Sequence, residues 1–234
     1  MLSIFLLFSL AAFSQEEKYQ MDFPDMSRGL GVSFQKFNGL NNRIANYPQY
    51  KQVKDATGVL QLGWFKEKKQ FITQGLLMGG SSMSGDRDKR SSTIRYLGVS
   101  FDIGYDVLKN KKVSLYPLAG IGYQAYQARF YKDNSTVDFN DVLQNSVVQN
   151  STRPLDLRNS FVNYRFGLGV AARSPKHNCS IGVQAVYTGS FKDHSWRSAD
   201  NQLLANAPVD GLSQIYAGLV FTCRPFFMMH KHHE

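Results

Sequence analysis

The sequence predicts an all-β fold: a closed eight-stranded antiparallel up-and-down transmembrane β-barrel with short periplasmic turns and long extracellular loops. Three observations carry that expectation. Eight segments alternate between two kinds of side chain, the mark of strands whose faces meet different surroundings. Short and long connections alternate along the chain, as in barrels that turn tightly on one side of a bilayer and loop widely on the other. The face opposite the oily one is rich in glycine and polar residues, which suits a narrow barrel interior.

The chain of 234 residues opens on MLSIFLLFSLAAFSQ. An apolar run from Leu2 to Leu10, then small Ala12 and Ser14 before Gln15, has the form of a cleaved signal peptide. Residues 1–14 are therefore read as an export signal, 15–27 as a polar segment, 28–227 as the barrel and 228–234 as a flexible tail. No later apolar run approaches the ~20 residues of a helical span. The mean hydropathy of −0.32 is too polar for a bundle of membrane helices.

The expected strands are Gly29–Phe37, Thr57–Lys66, Gln70–Gly80, Thr93–Val107, Val113–Phe130, Phe161–Arg173, Cys179–Phe191 and Gln214–Arg224. The fourth is the clearest. Leu97, Val99, Phe101, Ile103, Tyr105 and Val107 share one face; Gly98, Ser100, Asp102, Gly104 and Asp106 share the other. A helix, with its 3.6-residue period, cannot sort them so. The third is the least clean, since neither face of Phe71–Gly79 is uniform.

The glycine-rich face also carries Gln35, Gln124, Gln184, Asp102 and Arg165. In a soluble lipocalin-like barrel the oily face would point inward instead. Side-chain parity assigns Asp102, Asp106, Arg165 and Arg224 to the barrel interior, with Arg173 a further candidate. A buried charge is costly unless paired, so at least one Asp–Arg pair is expected to link strand four to strand six or a neighbour. Cys179 opens strand seven and Cys223 closes strand eight, placed to face each other across the last hairpin. A disulfide in an oxidising compartment and two free thiols are both open readings.

The net charge of +9 is unevenly spread. Lys66, Lys68, Lys69, Lys109, Lys111, Lys112, Lys176, Arg224 and Lys231 in the short turns and tail face only Glu67 and Glu234, whereas the four long loops balance. That places the excess on the periplasmic rim. Export and the lack of a basic–aromatic motif argue against nucleic acid. His230, His232 and His233 read as a surface tail. His194-Ser195 lacks the third orienting group a nucleophile needs. No phosphate loop, nucleophile elbow or metal-ligand spacing is present, so no catalytic, cofactor or metal site is expected.

The run IYAGLVFTCRPFF, ending in Phe227, resembles the C-terminal signal read by the outer-membrane insertion machinery. From Gly29 to Phe227 the chain resembles the small outer-membrane β-barrel proteins, OmpX and the membrane domain of OmpA. The Ser–Gln cut site is also similar to those of Bacteroidota outer-membrane proteins. The tail MMHKHHE departs from the family pattern, in which the signal ends the chain. The resemblance implies a Gram-negative outer membrane and contact with its lipids, lipopolysaccharide included. The loops, rich in Asn, Ser, Tyr and Asp, would meet a protein or glycan partner. The expected function is a non-enzymatic structural or binding module, with a narrow channel or a lipid-A-modifying enzyme as alternatives.

Overall fold

The computed structural model describes residues 24–86, 89–174 and 179–224. The signal segment, Lys176, Phe227 and the histidine tail lie outside these residues. Eight long strands form the wall: β1 (Asp25–Gln35), β2 (Ala56–Lys68), β3 (Phe71–Gly85), β4 (Ser91–Tyr105), β5 (Val113–Tyr131), β6 (Leu155–Ser174), β7 (Cys179–Ser190) and β11 (Ser213–Cys223). Helix α1 (Asn38–Ala45) follows β1, and α2 (Phe139–Gln144) and α3 (Ser146–Thr152) sit between β5 and β6. Three two-residue strands decorate the last loop: β8 (His194–Ser195), β9 (Arg197–Ser198) and β10 (Val209–Asp210).

Each long strand pairs antiparallel with its neighbour in sequence, and β11 pairs with both β7 and β1. The ring is closed, so every wall strand has a partner on both sides. Closure removes the free edges that would otherwise leave backbone groups unsatisfied. The β2–β3 and β4–β5 turns lie at the end that carries the described termini, here the turn end; the opposite, loop end carries the long β1–β2, β5–β6 and β7–β11 connections and, between Gly85 and Ser91, a short one where a long loop was expected. Between β2 and β3, Lys69 and Gln70 both have positive φ, 51° and 73°. A two-residue turn of this hand matches the twist of the flanking strands.

The faces sort as the alternation requires. Leu60, Leu97, Ile121, Val162, Phe166 and Ile215 point outward and are exposed, Leu60 by 69%. Gln61, Gln74, Asp102, Gln124, Arg165, Gln184 and Gln214 point inward and are buried. Inside β3 the residues are Ile72, Gln74, Leu76 and Met78, which explains why that strand has no clean polar face: its inner face is partly oily.

Strand limits differ from expectation at several ends, three of them by four residues or more. The wall starts at Asp25, so Met26 and Ser27 belong to the barrel rather than to the polar segment. β3 runs on to Gly85 and β6 begins at Leu155, where loop was expected. These extensions pair with β4 and β5 well beyond the alternating segments. Pairing across strands, not local composition, holds them extended.

Candidate functional site at the loop end

Inside the wall the polar side chains form successive levels. At the turn end Arg173 Nη2 lies 2.7 Å from Glu67 Oε2 and 2.8 Å from Asp106 Oδ2. Asp106 Oδ1 also accepts from the backbone N–H of Leu108 and Leu115, so it ties the β4–β5 turn to the barrel floor. At mid-height Arg165 Nε donates to Asp102 Oδ1 at 2.9 Å; the two side chains are 2% and 0% exposed. Gln74 Nε2 donates to Asp102 Oδ2 and Arg165 Nη1 to Met78 Sδ. Higher up, Gln124 Nε2 donates to Gln214 Oε1, Tyr126 OH to Gln124 Oε1 and Gln35 Nε2 to Thr57 Oγ1. Charges and amides thus share the bore with buried apolar side chains, among them Ile72, Leu76, Leu118 and Val186.

An aromatic layer closes the bore at the loop end. Phe37 packs against Tyr126, Phe161 and Trp196 with ring centroids 5.1–6.3 Å apart. Above it α1 lies across the mouth, held by one carboxylate from the last loop. Asp210 accepts from Gly39 N at 2.7 Å, Leu40 N at 2.9 Å and Trp196 Nε1 at 2.7 Å. The first amides of a helix have no partner within it, and an anion there also meets the favourable end of the helix dipole. Burial pushes the Asp210 carboxyl above its ordinary range, against the pull of these three donors.

Between α1, the start of β6 and the last loop lies a pocket of about 340 Å³. Its lining includes Leu40, Ile44, Tyr47, Leu157, Trp196 and Leu204, with Arg43 at its edge. Such a lining takes up an apolar or aromatic group, and Arg43 offers a charge beside it.

No family model matches the sequence, and no curated protein matches it. Among solved structures the chain is similar to Ail, the attachment invasion locus protein of Yersinia pestis, in complex with the heparin analogue sucrose octasulfate. That likeness has 15% identity and a TM-score of 0.45, covering 85% of this chain and 96% of that one. Neisserial surface protein A is similar at 8% identity and TM-score 0.47, covering 86% and 96%. A major outer membrane protein from Thermus thermophilus is similar at 11% identity and TM-score 0.49, covering 85% and 98%. Eight antiparallel strands in sequence order close the ring. The fold is a closed eight-stranded antiparallel up-and-down β-barrel.

Within this barrel, the residues singled out from sequence fall into three groups. Asp102, Asp106 and Arg165 are interior and paired, and Arg173 joins them at the floor. Cys179 and Cys223 stand opposite in the β7–β11 register and are joined by a disulfide. Arg224 is a correction. Its parity pointed inward, but β11 stops at Cys223, so Arg224 leaves the wall, is 46% exposed and lies 3.9 Å from Asp25 at the rim.

Among the described residues no group of His, Cys, Asp and Glu is arranged to hold a metal. The His194 ring stacks edge-on against Phe161, and Ser195 pairs with Val209; neither side chain engages the other. Asp210, Trp196 and the pocket were not found from sequence. Their signal is tertiary, because Asp210 meets α1 across most of the chain.

Proposed function

We propose that this chain is an integral outer-membrane barrel of a Gram-negative bacterium, a non-enzymatic structural or binding module that acts through its extracellular loops. The observation that carries this is the reversal of inside and outside: Asp102 and Arg165 are sealed within while Leu60, Leu97, Ile121 and Ile215 are exposed around the wall. Water would penalise that exposed apolar girdle, and acyl chains would not. In this reading the loop end is extracellular and the lysine-rich turn end periplasmic. Trp64, Phe71 and Tyr105 then stand at the periplasmic interface, where aromatic side chains gather.

The filled bore favours a scaffold over a conduit. Interior charges are paired and shielded, and Phe37, Tyr126, Phe161 and Trp196 stack across the outer mouth. The apolar pocket beside Arg43 supports a binding role at the loop end, with a partner's apolar group as the best match to its lining. Reconstitution tests both halves. The refolded chain is expected to enter lipid vesicles, to show heat-dependent gel mobility there, and to leave a planar bilayer without conductance steps. Failure to insert would remove the membrane reading, and steady single-channel steps would replace the module with a channel.

A further inference from the structure

The outer wall at the loop end carries a row of arginines. In the strand register Arg95 stands opposite Gln127, Gln127 opposite Arg158, and Arg158 opposite Arg197. Arg95, Arg158 and Gln127 share the parity of the outward face, and all three arginines are exposed. Like charges set directly opposite across a ladder destabilise it. The nearby acid faces another arginine: Asp156 Oδ2 accepts from Arg129 Nε at 2.9 Å and from Gln127 Nε2 at 2.7 Å, and its Oδ1 is buried with no partner among the described residues. Among the described residues Arg197 donates only to the carbonyl of Asn201, at 3.2 Å. Arg95 and Arg158 make no side-chain hydrogen bond or ion pair among the described residues.

The row's height along the wall says what it faces. One outward step below it, about 6.6 Å by strand geometry, lie Leu97, Ala125 and Ser160 in register. A further step down lie Val99, Tyr123 and Val162, within the apolar girdle. Small Ala125 leaves a shallow outward notch of about 340 Å³, flanked by Arg95 and Arg158 and floored beside Leu97. The notch is cationic above and oily below, and it opens sideways from the barrel.

We infer that Arg95 and Arg158 hold a phosphate group of an outer-leaflet phosphorylated glycolipid, whose acyl chains lie along Leu97, Val99 and Val162. The inference rests on the membrane reading above. Guanidinium groups match phosphate oxygens in paired hydrogen bonds. A soluble phosphate would make the same upper contacts but none of the lower ones, so the continuity with the girdle selects the lipid.

The test uses the full chain in detergent micelles, with folding checked by heat-dependent gel mobility. Binding is measured to lipid A bearing its phosphates, to the same lipid dephosphorylated, and in competition with inorganic phosphate. Phosphorylated lipid A is expected to bind, and R95Q/R158Q to weaken it roughly tenfold or more, as loss of charge-assisted hydrogen bonds implies. K111Q/K112Q at the turn end should bind as the parent does. Unchanged binding by R95Q/R158Q overturns the inference, as does equal binding of dephosphorylated lipid. Displacement by inorganic phosphate at comparable concentration would make the site a plain anion site and overturn the lipid assignment. A chain that fails to insert into vesicles sinks the membrane reading itself; one that inserts but ignores the phosphate sinks only this inference.

Discussion

A single buried ion pair sets the chemistry at mid-bore, and its value depends on staying whole. Arg165 is held by Asp102 and the Met78 thioether, and among the described residues its Nη2 has no hydrogen-bond partner. Gly120 makes the pair possible, because a Cβ there would stand 2.1 Å from Asp102 Oδ1. Removing one partner strands the other charge, so Asp102→Ala is expected to cost about 3–5 kcal/mol. The double replacement Asp102→Leu with Arg165→Met removes both desolvation penalties and should fall far closer to the parent. Urea unfolding in vesicles measures both; equal losses in the two variants would mean that packing, not charge, is at stake. Asp210 behaves differently because its carboxyl is raised from 3.8 by burial. The folded state then holds its proton more tightly than the unfolded chain does. Its contribution to stability is fullest below the unfolded value and is lost as pH rises through the raised folded one. Amide exchange at Gly39 and Leu40, corrected for its intrinsic pH dependence, should lose protection over that window. Asp210→Asn should flatten the dependence, and persistence of it in the variant would point to another group.

Strands in this wall are fitted together by pairing glycines with aromatic rings. Inside, a Cβ on Gly169 would lie 2.2 Å from the Tyr116 ring, and one on Gly80 would lie 2.2 Å from Tyr96. Outside, Trp64 covers Gly75 and Tyr164 covers Gly189 in the same way. Gly169→Val should therefore destabilise by about 1–3 kcal/mol through overpacking, and Tyr116→Leu in the same chain should restore part of the loss. Additive losses, read by urea unfolding of the single and double variants, would show that the ring and the glycine are not coupled. The elements themselves were largely legible, because alternation between Leu97, Val99, Phe101 and Gly98, Ser100, Asp102 is a local pattern. Interior placement of Asp102 and Arg165 followed from the same parity. Arg224 escaped it because parity says nothing of where a strand ends. The start of β6 at Leu155, the Asp210 anchor and the arginine row were hidden for a shared reason. Each depends on which residues of different strands or loops stand opposite, and that register is long-range information.

For the molecule as a whole, backbone pairing closes the ring and sulfur only reinforces it. Cys223 faces Cys179 on β7 and, on its other side, Met26 on β1, so the bond sits beside the seam where the first and last wall strands meet. It links positions 44 apart in sequence. Tying a loop of that length restricts the unfolded chain by up to about 4 kcal/mol in the chain-entropy model. The native cylinder, however, is held by ladders on both sides of every strand, and none of them needs the disulfide. C179A/C223A is thus expected to fold, to enter vesicles and to keep its heat-dependent gel mobility, while unfolding at lower urea by an amount within that bound. Treatment of the parent with a thiol reductant should give the same shift, since it removes the same constraint. If the variant instead failed to close, with no heat-shifted form at any lipid composition, the seam would depend on the covalent link. The barrel would then be a fold that oxidation completes, not one that its strand register completes.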